Sequence, residues 1–172
     1  MTARKAGTTV GSAERHSWHG FACVVLLAEE EAAQYEVVEH EGTSSAADDA
    51  RVTRIAPERV AKTLLLRDHG RLRAAVIPAS EHLDLHKARA AIRGTAALKL
   101  ASEQEMREAF AMLEPGALPP FGLGVPEVVD RRLLGEATVL CGGGDHRHGL
   151  LIPPSEIVRL GHALVSDICR AR

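Results

Sequence analysis

Lys62 opens the short apolar run Lys62-Thr63-Leu64-Leu65-Leu66. An ammonium at the mouth of a strand is costly to dehydrate unless an anion or a carbonyl partners it, so its position points to work on a polar ligand. Further along, Glu114-Pro115-Gly116-Ala117-Leu118-Pro119-Pro120-Phe121-Gly122 combines stiffness with little bulk near the backbone. Such a loop lets a ligand approach main-chain N–H groups closely. Standing alone, Lys62 would read as an interfacial lysine snorkelling from a strand end. The pairing with the Gly/Pro loop gives it a candidate role.

Other chemistries have weaker support. The chain has no Gly-x-Ser-x-Gly elbow and no Cys/His pair with a recognisable local signature. Cys141 at a strand end reads as a small buried hydrophobe rather than a nucleophile. Gly142-Gly143-Gly144 lacks the Lys-Ser/Thr of a phosphate loop and the register of a dinucleotide site, and reads as a hairpin turn. His82 and His86 are four apart, and Cys141, Asp145, His146 and His148 cluster locally. Those are ligand types without the spacing of a zinc site, so no metal and no cofactor is expected.

Length and composition set the frame for these residues. At 172 residues with 45% apolar content, the chain is expected to form one domain with one packed core. Three widely spaced cysteines, Cys23, Cys141 and Cys169, suit reduced thiols and a cytoplasmic setting. The apolar stretch from Phe21 to Ala28 is too short to span a bilayer and runs into Glu29-Glu30-Glu31, so neither signal peptide nor membrane anchor is expected. A net charge of −2 argues against coating DNA or RNA by bulk electrostatics. The basic residues Arg51, Arg54, Arg59, Lys62, Arg67, Arg71 and Arg73 read first as a solvated face with acidic neighbours.

The elements that must position Lys62 and the loop can be drafted from caps and periodicity. Residues 1–18 are polar and non-periodic, a flexible extension ahead of a domain over residues 19–172. A helix is expected from Phe21 to Gln34 and a strand from Tyr35 to His40. Ser45 and Asp48 form a capping-box pattern before a short helix over 48–52. Val60 to Arg67 and Leu72 to Pro78 form a hairpin around Asp68-His69-Gly70-Arg71, where Gly70 supplies the positive φ of a tight turn. Asp84 caps a helix through Ile92 with Leu85, Ala88 and Ile92 on one stripe. Ser102 and Glu105 box the start of another, with Met106, Phe110 and Leu113 facing the core. Strands are expected at Glu127 to Asp130, Ala137 to Cys141, Gly149 to Ile152 and Ala163 to Ile168, with a helix from Pro154 to Gly161. Strands and helices do not alternate strictly, which indicates a mixed α+β domain rather than a doubly wound parallel sheet.

In this order Tyr35-Glu-Val-Val-Glu-His40, Thr43-Ser44-Ser45, Val60-Ala-Lys62-Thr-Leu-Leu-Leu66, Ala74-Ala-Val-Ile-Pro78, Leu83-Asp-Leu85, the loop Glu114 to Gly122, Val129-Asp130 and Cys141-Gly-Gly-Gly144 resemble the YbaK/ProX family. That family comprises aminoacyl-tRNA deacylases related to the editing domain of prolyl-tRNA synthetase. The resemblance spans residues 22–169. It implies a mixed, mostly antiparallel, barrel-like sheet with flanking helices, and hydrolysis in trans of mischarged aminoacyl-tRNA carrying a small amino acid, with tRNA(Pro) a candidate. It implies Lys62 and Gly116 as catalytic residues, with Thr63, Pro119, His40, Gly142 and Gly143 on the substrate. The implied partners are the aminoacyl-tRNA 3′ end and prolyl-tRNA synthetase, with no membrane and no DNA. No protein nucleophile is implied, since a tRNA hydroxyl, the substrate's own side chain or a water can attack. Three departures bear on the substrate: Val38 in place of a tyrosine, His86 near a usual lysine, and no Lys-Arg-Gly after the glycines. They argue against a specialist for Cys-tRNA(Pro). A non-catalytic module that holds an aminoacyl-tRNA end or a synthetase is the alternative.

Overall fold

The computed structural model describes residues 20–171, and the extension expected over residues 1–18 lies outside them. Helix α1 (Phe21–Glu30) stops short of the expected Gln34. Its last turn meets Glu29, Glu30 and Glu31, and negative charge at a helix C-terminus opposes the helix dipole. Ser45 caps α2 (Ala46–Thr53) by accepting from Asp48 N at 3.2 Å. Asp84 caps α3 (Leu85–Ala91) by accepting from the N–H groups of His86 and Lys87. Ser102 and Glu105 close a reciprocal box on α4 (Glu103–Ala109), and Pro154 opens α5 (Pro154–Gly161). Leu85, expected on the core stripe of α3, is 38% exposed because it sits beside the cap; Ala88 and Ile92 carry the stripe.

Among the described residues eight strands, β1 (Glu36–Glu39), β2 (Val60–Asp68), β3 (Arg71–Pro78), β4 (Lys99–Leu100), β5 (Glu127–Asp130), β6 (Val139–Asp145), β7 (His148–Ile152) and β8 (Leu164–Ser166), form one sheet. Its path runs β1-β7-β6-β2-β3-β5-β8, with β4 paired to the far end of β2. Four pairings are antiparallel (β1–β7, β2–β3, β2–β4, β6–β7) and three are parallel (β2–β6, β3–β5, β5–β8). The sheet is therefore mixed and open, and the barrel-like expectation is corrected: β1 and β8 are left as edges rather than joined. The β2–β3 hairpin turns through His69 and Gly70, both at positive φ as a two-residue turn of this hand requires.

One expectation fails instructively. Gly142, Gly143 and Gly144 are not a turn but the continuation of β6, and the turn falls instead between Asp145 and His148. Glycine inside a strand weakens it, and its use there marks a place where another backbone approaches closely. Here Gly142 has the carbonyls of Ala117 and Leu118 over it, and Gly143 has that of His148.

Alternation assigns the two faces of the sheet. Val60 and Leu140 pack with Val38 and Ala50 of α2, while Leu66, Ala75 and Ile77 pack with Ala88 and Ile92 of α3. On the reverse face Ala61, Val76, Cys141 and Leu150 meet Val24 and Ala28 of α1 and Ile157 of α5.

Asp130 ties the chain's end to the sheet. Its fully buried carboxylate accepts from the N–H groups of Ile168 (2.8 Å) and Cys169 (3.1 Å) and from Arg132. Burial opposes ionisation, but these donors outweigh it and hold the carboxyl below its ordinary value. Its contribution is thus complete above the ordinary carboxylate range and is lost as pH falls through the lowered value. Asp130→Ala strands buried donors and is expected to cost about 3 kcal/mol, a drop of roughly 6–12 °C in Tm. Thermal melts at neutral pH check this; the deficit against wild type narrows on acidification.

Candidate active site

Lys62 falls between Val60 and Leu64 on β2, so alternation turns it to the face that carries α2 and α3. It is half-buried, and its ammonium donates to the carbonyls of Glu81 (2.7 Å) and Ala79 (3.3 Å) in the segment after β3. Burial pulls its pKa below the ordinary lysine value, with Cys169 and Glu81 opposing. An ammonium has three N–H donors, so two carbonyl bonds leave one for a ligand.

The parallel ladder between β2 and β6 pairs Val60 with Leu140 and Ala61 with Cys141 and then ends. Lys62 and Gly142 are the first residues past that last pair. Gly142 shares the face of Leu140, two residues before it, which is also the face of Lys62. A side chain on Gly142 would come 2.6 Å from Ala117 O and 2.7 Å from Leu118 O, so the Gly/Pro loop crosses this face directly over the glycine. Backbone bonds fasten the loop to β6: Glu114 N donates to Gly144 O at 3.0 Å and Gly144 N donates to Ala117 O at 2.9 Å. Gly116 has φ +86° and presses against the carbonyl of Ser44, just ahead of the α2 cap.

Behind the loop stands a polar brace that sequence reasoning missed as a unit. His146 N donates to Glu114 Oε2 (2.6 Å), its Nε2 lies 2.6 Å from Pro115 O, and its Nδ1 lies 3.2 Å from the Glu114 carboxylate. His146 O in turn accepts from Thr43 N at 2.9 Å. Thr43 Oγ1 donates to Asp49, whose carboxyl burial pushes upward while Thr43 and His40 oppose. His40, with its side chain 6% exposed, has Nδ1 2.8 Å from Glu41 O and Nε2 3.8 Å from Asp49. The brace draws on residues 40, 43, 49, 114 and 146, a separation that no local pattern exposes.

The remaining candidates are elsewhere. Thr63 alternates to the α1 face, where its hydroxyl is buried without a partner among the described residues. Gly143 faces Phe21, and Pro119 lines an apolar cavity of about 300 Å³ with Cys23, Val24, Leu27 and Phe121. The histidine cluster disperses as well: His148 bonds Asp145 and stacks on Phe21, His146 turns to the loop, and the Cys141 thiol donates to Leu150 O. Burial pushes that thiol up to about 12, which removes it as a nucleophile near neutrality. Much of the basic cluster is paired, Arg51 with Asp48, Arg59 with Glu136 and Arg67 with Glu105. No helix among the described residues is long and apolar enough to cross a membrane.

An open mixed sheet with helices on both faces defines a single-domain α+β protein of the YbaK type. The aminoacyl-tRNA editing domain model matches residues 40–160, and the chain belongs to that family. No curated protein matches it. Among solved structures, a hypothetical protein aligns at 25% identity and TM-score 0.78 over 86% of this chain and 99% of its own. Another, described as a candidate trans-editing enzyme for prolyl tRNA synthetase, aligns at 27% identity and TM-score 0.76 over 90% of this chain and 100% of its own. A candidate signal transduction protein from Marinobacter aquaeolei VT8 shares the fold at 23% identity and TM-score 0.61, over 87% of this chain and 31% of its own.

Proposed function

We propose that this protein is an aminoacyl-tRNA deacylase that acts in trans, removing a small amino acid wrongly attached to tRNA, with tRNA(Pro) the first candidate. The observation that carries the proposal is the half-buried ammonium of Lys62, which with Gly142 lies one residue past the last β2–β6 pair, while the Ala117 and Leu118 carbonyls lie over Gly142. In the reaction a water oxygen adds to the ester carbonyl carbon, and the proton it loses passes to the leaving ribose oxygen. The bond from that carbon to the ribose oxygen then breaks, which frees the tRNA hydroxyl. Lys62 would supply positive charge to the developing oxyanion or to the terminal phosphate, in a site dry enough for that charge to act strongly. The loop would supply main-chain donors and a wall that favours small side chains.

The second reading is a binding module without turnover, and one observation favours it: the carbonyls of Ala79 and Glu81 already occupy two of the three donors of Lys62. A panel of tRNA(Pro) charged with alanine, cysteine, serine or proline separates the two. Release of one small amino acid well above the spontaneous rate, unaffected by EDTA, is the expected outcome. Tight binding with no release on any member would favour the module. Loss of activity in EDTA that zinc restores would add a metal. Stimulation by prolyl-tRNA synthetase would place that enzyme as a partner, as the trans-editing relative suggests.

A further inference from the structure

On the reverse face of the sheet, away from Lys62, Glu127 opens β5 and is only 4% exposed. Its Oε2 is buried without a hydrogen-bond partner among the described residues. A buried carboxyl left unmatched is costly, and native proteins keep few of them without a use. Gly161, at the end of α5, makes room for it: a side chain at that position would overlap the Glu127 carboxyl. Glu127 is also part of the wall of a cavity of about 620 Å³, with Leu27, Val125, Pro126 and Leu160 as its apolar side. The other titratable groups of that wall are Glu31 at the end of α1, and Arg159 and His162 from α5 and its cap. Arg159 is engaged by Glu156 and by Glu31, so its charge is directed away from Glu127. Leu27 and Gly122 also line the neighbouring 300 Å³ apolar cavity.

We propose that the cavity walled by Glu127 is a second binding site, for a small organic compound with a primary ammonium head and an aliphatic tail. The ammonium would supply Glu127 with the donor and the charge that the described residues do not, and the tail would pack along Leu27 and Leu160. Dehydration pushes the Glu127 carboxyl up to about 8, and no cation among the described residues offsets it. A bound ammonium lowers that value, so by linkage the carboxylate form binds the head more tightly. The site is independent of the editing proposal. Its wall includes Gly122, at the end of the loop whose Ala117 and Leu118 carbonyls lie over Gly142, so occupancy can bear on the loop.

The test is a methyl and carboxyl NMR titration of the full chain with hexylammonium, using hexanol as the uncharged counterpart. Saturable shifts at Leu27, Val125 and Leu160, with affinity that rises at least about tenfold between pH 6 and pH 9, are expected. Glu127→Gln should remove that rise and weaken binding by a similar factor while leaving basal deacylation unchanged. Should this variant fail to fold, the pH dependence in wild type decides by itself. Equal affinity for hexanol, a flat pH dependence or undiminished binding to a folded Glu127→Gln protein would overturn the proposal.

Discussion

Lys62→Ala is expected to lower deacylation of the preferred mischarged tRNA by about 100- to 1000-fold, the scale of removing one preorganised oxyanion donor from a water-poor site. The loss should fall mainly on kcat if the ammonium acts on the developing negative charge, and mainly on KM if it holds the terminal phosphate. Lys62→Arg should not rescue. A planar guanidinium cannot keep both the Glu81 and Ala79 carbonyls as a compact ammonium does. Stability should change little, by about 1 kcal/mol, because only two partly exposed hydrogen bonds are lost, and a melt run beside the assay separates misfolding from lost chemistry. The pKa of Lys62 is lowered by burial, so activity that needs its charged form should decline on the alkaline side below the ordinary lysine range, once spontaneous ester hydrolysis is subtracted. Equal turnover by wild type and the alanine variant would remove Lys62 from the mechanism and leave the binding module as the better account.

What the sequence makes legible here is whatever local chemistry dictates. Caps at Ser45, Asp84 and Ser102 fix three helix starts, and His69-Gly70 fixes the one hairpin that carries Lys62. Alternation along β2 fixes the face of Lys62 and, read consistently, also turns Thr63 away from it. Long-range pairing is what remained hidden. Parallel contacts between β2 and β6 and between β3 and β5 join segments far apart in sequence, and no turn pattern announces them. The glycines of β6 read as a turn because their space is filled from elsewhere in the chain, at Gly142 by a loop more than twenty residues upstream and at Gly143 by the His148 carbonyl. For the same reason His146 resembled a loose metal ligand, although its ring partners Glu114 and Pro115.

Gly116→Ala is the second large effect expected. A methyl group at this position would not crowd the substrate first; it would strike the Ser44 carbonyl, far inside the 3.0 Å that real contacts keep. The residue also sits at φ +86°, which costs an L-amino acid about 1–2 kcal/mol by itself. Because both obstacles are backbone, the loop must swing away from the α2 cap, carrying the Ala117 and Leu118 carbonyls off Gly142. A displacement of about 1 Å near reacting atoms can cost roughly 100-fold in rate, and a loss on that order is expected here with the fold retained. Gly124→Ala supplies the control. Gly124 has a comparable φ of +66° but nothing within 4 Å of its missing side chain, so it bears the backbone strain without the collision. If Gly116→Ala slows release of small and bulky amino acids alike while Gly124→Ala does not, the contact between the loop and Ser44 positions the catalytic backbone. Unchanged kinetics in Gly116→Ala would remove the loop from the site, and equal losses in both variants would assign the effect to backbone strain alone.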